Sequence, residues 1–131
     1  MNETYEFLKN AHVFYLATIE KDEPRVRPFG ALNIFEDKLY LLTNNQKDVY
    51  KQIKDNKNTE ICAYNGKEWI RIKTTLIEDN RVEAKKSFLD NNEYLRNMYN
   101  ENDDKTVVLY FENSKVVITN FSTMETKEMK F

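Results

Sequence analysis

The stretch HVFYLATIEKDEPRVRPFGALNIFEDKLYLLT, residues 12–43, decides how this chain folds. Its first part, HVFYLATIE, is apolar and rich in β-branched and aromatic residues, and KDEP supplies turn residues. That is a strand running into a hairpin. RVRPFGALNIFE then reads as a second strand, EDK as another turn and KLYLLT as a third strand. Consecutive strands joined by short turns predict an antiparallel meander. Pro28 has no N–H for a ladder and Gly30 no side chain to pack, so both mark the second strand as an edge or a bulge.

Outward from this stretch the pattern changes period. Upstream, NETYEFLKNA places Tyr5 and Leu8 on one side of a short helix. Downstream, NNQKDVYKQIKDN sets Val49 and Ile53 four apart, as on a helix face, with Asn44 or Asn45 as the expected N-cap. TEICAY and KEWIRIKTTLIE flank Asn65-Gly66, the strongest hairpin signal in the chain. RVEAKKSFLDNNEYLRNMYNEN reads as another helix, TVVLYFE-NSK-VVITNFS as a last hairpin and TMETKEMKF as a polar tail. Without repeats or linkers, residues 1–131 are expected to form one domain. The element order predicts a mainly β protein: a closed or nearly closed antiparallel barrel with flanking helices.

Composition narrows the function classes. Hydrophobic residues make up 40% and charged residues 32% of the chain, as in globular proteins. A net charge of −2 argues against nucleic acid as a partner held by bulk electrostatics. The chain opens with no leader pattern and holds no apolar run of the roughly 20 residues a membrane helix needs. A soluble, cytoplasmic protein is expected, with no membrane association. Its one cysteine, Cys62, is expected to be a buried structural thiol.

With only two glycines, neither dinucleotide nor P-loop phosphate motifs exist, and one His and one Cys make a zinc site improbable. His12, read as part of the first strand, is expected to be structural rather than a base. What rises above background is Arg25 and Arg27, two apart on a strand and so on one face. The other notable place is the end of the third strand entering a helix, with Thr43, Asn44, Asn45 and Lys47 as polar groups. A helix start suits a phosphate. If the second and third strands pair, Arg27 approaches Thr43 and Lys47, and a dianionic phosphate beside something flat would fit between them. The competing reading is a solvated edge strand and a surface lysine.

Three blocks, HVFYLATIEKDEPRVRPFG, LYLLTNNQKDVYKQI and GKEWIRI, in this order resemble the signature blocks of the pyridoxamine 5′-phosphate oxidase-like FMN-binding split-barrel proteins, in their general-stress and nitroimidazole-reductase-like subgroup. The resemblance implies a split β-barrel of antiparallel Greek-key type, a homodimer and FMN at the subunit interface. It implies that Arg27 runs along the flavin and that the Pro28 and Phe29 backbone borders the ring. Leu42 and Thr43 would lie near the ribityl chain, and Asn44 is a further cofactor-binding candidate. Lys47 would hold the phosphate, Lys51 is a second phosphate candidate, and Trp69 a flavin neighbour. The function implied is an FMN-dependent oxidoreductase acting on a small molecule, with no side chain singled out as catalytic. Oxidation of pyridoxamine phosphate itself is not expected, because FSTMETKEMKF lacks the basic, Trp-bearing end of the vitamin-B6 oxidases. The alternative is a module that binds flavin, haem or deazaflavin without turnover.

Overall fold

The computed structural model describes all residues, Met1–Phe131. Helix α1 (Asn2–Ala11) leads into β1 (Phe14–Glu20) and β2 (Glu23–Phe29), followed by β3 (Asn33–Phe35), β4 (Lys38–Asn44) and helix α2 (Asp48–Asp55). After β5 (Asn58–Tyr64) and β6 (Glu68–Asp79) come helix α3 (Val82–Asp90), a 3₁₀ segment (Glu93–Asn97), β7 (Thr106–Asn120) and β8 (Thr126–Lys130). The strands form one antiparallel sheet in the order β2-β1-β5-β6-β7-β4-β3, with β8 also on β7. The mainly β, barrel-like expectation holds.

The meander needs a correction. β1 and β2 pair from Phe14↔Phe29 to Glu20↔Glu23, but β2 has no second partner. The expected second strand breaks after Phe29, and its far end, β3, pairs with β4 instead. The crossing is fastened on the other side of the molecule: Leu32 is buried and its carbonyl accepts from Asn92, while Asn33 bonds Ser87 and Asn91. The barrel is therefore split between β2 and β4.

The expected last hairpin is absent too. TVVLYFENSKVVITN is the single 15-residue strand β7, in which Asn113 takes a positive φ of 53° and bends the chain without reversing it. β6 runs alongside through a register shift between Lys73 and Thr75, so the ladder accommodates the bend as a bulge. The first half of β7 pairs with β4 and the second with β8, which the sequence reading took for a polar tail. The Asn65-Gly66 hairpin forms as expected: Gly66 has a φ of 98° and the Asn65 side chain accepts from the Lys67 and Glu68 amides.

Parity along β4 divides the core. Leu39 and Leu41 face the barrel interior with Phe14, Leu16, Ile61 and Ile72, while Tyr40 and Leu42 pack outward on Ala84, Phe88 and Leu89 of α3. Helix α2 inserts Val49 and Ile53 into the interior cluster. Its N-cap is Lys47, not Asn44 or Asn45, because those side chains are spent elsewhere. Asn44 Oδ1 accepts from the Gln46 amide, and Asn45 is bonded to the backbone of Asp104 and Lys105. The long helix expected over 81–102 stops at Asp90, where Asn92 turns its amide onto the Leu32 and Phe88 carbonyls.

Two single residues also differ from expectation. His12 is no strand residue but the left-handed (φ 69°), exposed residue that closes α1. Cys62 points away from the core, because alternation puts Ile61 and Ala63 inside and leaves Cys62 exposed on the outer face.

The buried Tyr40 hydroxyl donates to Asp79 Oδ2 at 2.8 Å, and Arg81 bridges Asp79 to Glu36. Arg81 above all, then Tyr40, hold the Asp79 carboxyl down to about 2 against the opposing effect of burial. A depressed carboxylate stabilises the fold above its unfolded pKa and loses that contribution as pH falls through the folded value. Urea unfolding across pH should thus show stability draining between pH about 4 and about 2. Asp79→Asn should cost about 1–3 kcal/mol at neutral pH and flatten that acid-side loss.

Candidate functional site

Arg25 and Arg27 share a face of β2 but not a fate. Arg25 is exposed and bonds Glu20 and Glu23 of its own hairpin, both at 2.9 Å. Arg27 is half-buried, and its guanidinium donates only to neutral oxygens: Leu16 O at 3.1 Å, Thr18 Oγ1 at 2.7 Å and Gln52 Oε1 at 2.6 Å. Of the chain's arginines (25, 27, 71, 81 and 96), the other four all pair with carboxylates. Burial first, and the like charge of Arg25 second, push Arg27 below the usual arginine range, with Asp48 at the start of α2 opposing them. The group stays cationic and forms no ion pair with a carboxylate.

Arg27 opens into a cleft of about 320 Å³ at the split of the barrel. One wall is the β2 end and crossing, Pro28 to Ala31; the facing wall is Leu42, Lys47 and Val49. The outer wall is aromatic and sulfur-bearing: Tyr94, Leu95, Met98 and Tyr99, of which Tyr94 and Met98 are largely exposed. Lys47 Nζ reaches the Tyr99 hydroxyl at 3.4 Å and meets no carboxylate. The lining contains no carboxylate, imidazole or thiol.

The structure therefore brings together Arg27, Pro28, Phe29, Leu42 and Lys47. The route differs from the expected one: β2 and β4 are not hairpin partners but face each other across the opening, with α2 between. Phe29 gives the cleft its backbone side while its ring stacks on Phe14 at 5.9 Å. Gly30 is not sterically required, since a Cβ there would meet the His12 carbonyl at an ordinary 3.5 Å.

The remaining predicted residues lie outside the cleft lining. Thr43 turns inward, buried, its hydroxyl without a partner. Asn44 is committed to the loop before α2. Lys51 borders a neighbouring groove with Glu20, Glu23, Asp48 and Asp55. Trp69 sits on the outer face of β6, packed edge-on against Phe121 at 4.6 Å. Sequence reasoning missed Gln52 and Thr18, which hold Arg27 in place. Gln52 did leave a signal, as a polar residue on the buried Val49–Ile53 face of α2.

A family model described as pyridoxamine 5′-phosphate oxidase matches residues 1–123. The chain belongs to the pyridoxamine 5′-phosphate oxidase family. A NimC/NimA family protein from Clostridium acetobutylicum is 42% identical, with a TM-score of 0.96 over 100% of this chain and 92% of the other. A pyridoxamine 5′-phosphate oxidase-related, FMN-binding protein from Nostoc punctiforme shares the fold at 15% identity and TM-score 0.60, covering 99% of this chain and 94% of its own. General Stress Protein 26 from Bacillus anthracis does so at 15% and 0.70, covering 92% and 89%. No curated protein matches the sequence.

An arginine without an ion pair gives this family member a flavin-free test. Inorganic phosphate should raise its thermal midpoint, because an ion that binds only the folded state stabilises it by mass action. The rise should vanish in Arg27→Ala and shrink in Lys47→Ala, measured by calorimetry at low salt.

Proposed function

We propose that this pyridoxamine 5′-phosphate oxidase family member binds FMN in the Arg27–Lys47 cleft and acts as an FMN-dependent oxidoreductase on a small molecule. The reading extends to a cytoplasmic homodimer with the flavin near the subunit interface. The observation that carries it is Arg27, the one arginine left without a carboxylate, facing a cleft that also holds Lys47 at the start of α2. A half-buried guanidinium gains most from an anion, since charge-assisted hydrogen bonds are stronger than neutral ones. The amides opening α2 add donors and positive partial charge.

The lining fits the rest of FMN as well. Pro28 offers no N–H to be buried unpaired, and Leu42, Val49 and Leu95 exclude water from a flat ring. Arg27 orients the phosphate; Gln52 and Thr18, bonded to each other at 2.5 Å, fix Arg27. FMN, when bound, supplies hydride and electron transfer, and the protein supplies binding, orientation and charge. Support for a dimer comes from Tyr15, Val26 and Tyr64, exposed on the outer face of β1, β2 and β5 at 49%, 66% and 53%. Exposed apolar patches of this kind mark interfaces.

The lining's lack of a carboxylate, imidazole or thiol favours a second reading, a binding module without turnover. Stopped-flow mixing with NADH and NADPH separates the two: reduction of bound FMN is expected, and none with any donor leaves the module.

The purified protein should show flavin absorbance or take up FMN on titration; neither would reject both readings. Arg27→Ala should weaken FMN by about 10- to 100-fold, as loss of a charged hydrogen-bond donor does. Asp48→Asn should tighten it by less than tenfold, because that carboxylate repels a phosphate at the helix start.

A further inference from the structure

The hydrogen bonds behind Arg27 have a direction, and they lead to a carboxylate outside the cleft. A guanidinium can only donate. Arg27 Nη1 therefore gives a proton to Thr18 Oγ1 at 2.7 Å, which leaves the single Thr18 hydroxyl proton for Gln52 Oε1 at 2.5 Å. Arg27 Nη2 donates to the same Gln52 oxygen at 2.6 Å. Gln52 must show its oxygen to this pair and its NH2 group to the opposite side. Turned round, the amide would set its own N–H groups against the guanidinium. Gln52 is only 5% exposed, so its NH2 group needs an acceptor within the protein. The acceptor present is Glu20 Oε2, at 3.5 Å.

Glu20, the last residue of β1, suits this place because a carboxylate only accepts. Its Oε1 takes Arg25 Nε and Nη2 at 3.2 and 2.9 Å, which leaves Oε2 for Gln52. The side chains run Arg25–Glu20–Gln52–Arg27, and the donor-only Arg27 and acceptor-only Glu20 fix the amide between them. Neither Glu20 nor Arg25 lines the Arg27 cleft; both line the neighbouring groove of about 450 Å³. We infer that Glu20 is a positioning residue for the anion site: it sets the orientation of the Gln52 amide and, through it, keeps the Arg27 guanidinium aimed at the ligand. The inference rests on the reading of that cleft as an FMN site, but the hold on Arg27 is measurable without any ligand. It gives the two arginines of β2 separate duties. Arg27 meets the anion, and Arg25 secures the carboxylate that keeps Arg27 in place.

Charge alone demands the opposite sign. A carboxylate near an anion site repels the anion, so by Coulomb's law deleting Glu20 should tighten FMN. A positioning role makes the deletion weaken it. Glu20→Ala should bind FMN about three- to tenfold more weakly, the worth of one ordinary hydrogen bond. Glu20→Gln keeps an acceptor oxygen and should stay within about twofold of the unmodified protein. In a Gln52→Met background, Glu20→Ala should cause no further loss. Without ligand, NMR of the unmodified protein and of Glu20→Gln should show separate Arg27 Nη proton signals from a guanidinium held still. Glu20→Ala should show them averaged. Tighter or unchanged FMN binding in Glu20→Ala, an equal loss with and without Gln52, or separate signals that persist in Glu20→Ala would each overturn the inference. If the protein takes up no FMN, the flavin reading fails by itself. The NMR signals, with the same variants ranked by the rise in thermal midpoint that inorganic phosphate causes, then decide the role of Glu20.

Discussion

The site depends on one half-buried guanidinium held by neutral oxygens. Arg27 reaches the Leu16 carbonyl, the Thr18 hydroxyl and the Gln52 side chain, so its position is set by β1 and α2 together. Neutral acceptors fix a charge without cancelling it. A carboxylate in the place of Gln52 would hold Arg27 equally well and spend its charge inside the protein, as Glu20 and Glu23 do for Arg25.

The surrounding architecture keeps that charge beside open space. Because β2 pairs only with β1, its far side is free, and the crossing from Phe29 to Asn33 carries the chain over to β4. Asn92 and Asn91 tie that crossing to the end of α3. The same asparagines break the helix into the 3₁₀ segment that brings Tyr94 and Leu95 to the cleft's outer wall. Carrying the chain across the split and walling the cleft are thus one set of contacts.

Much of this was legible in the sequence, wherever the signal was local. Asn65-Gly66, the apolar spacing of α1 and the Val49–Ile53 face of α2 name their own structures. Arg27, Pro28, Phe29, Leu42 and Lys47 line one cleft, though across the split between β2 and β4 and not through the expected hairpin. What escaped depends on distant partners. NSK looks like a turn, but β6 offers a pairing partner along the whole of β7, and Asn113 bends into the left-handed region instead of reversing. The tail becomes a strand because the second half of β7 has a free edge there. Asn44 and Asn45 cap poorly here because loop contacts claim them first. Trp69 and Cys62 point outward by strand parity, which turns on where the barrel's inside lies and not on residue type.

The account's central claim is that an anion sits against Arg27 at the opening of α2. A crystal structure of the protein grown with FMN tests it most directly. The phosphate oxygens are expected within hydrogen-bond reach of the Arg27 guanidinium and the first amides of α2, with Lys47 swung off Tyr99 towards them. A flavin found elsewhere, with Arg27 still bonded to Leu16, Thr18 and Gln52 alone, would contradict the account.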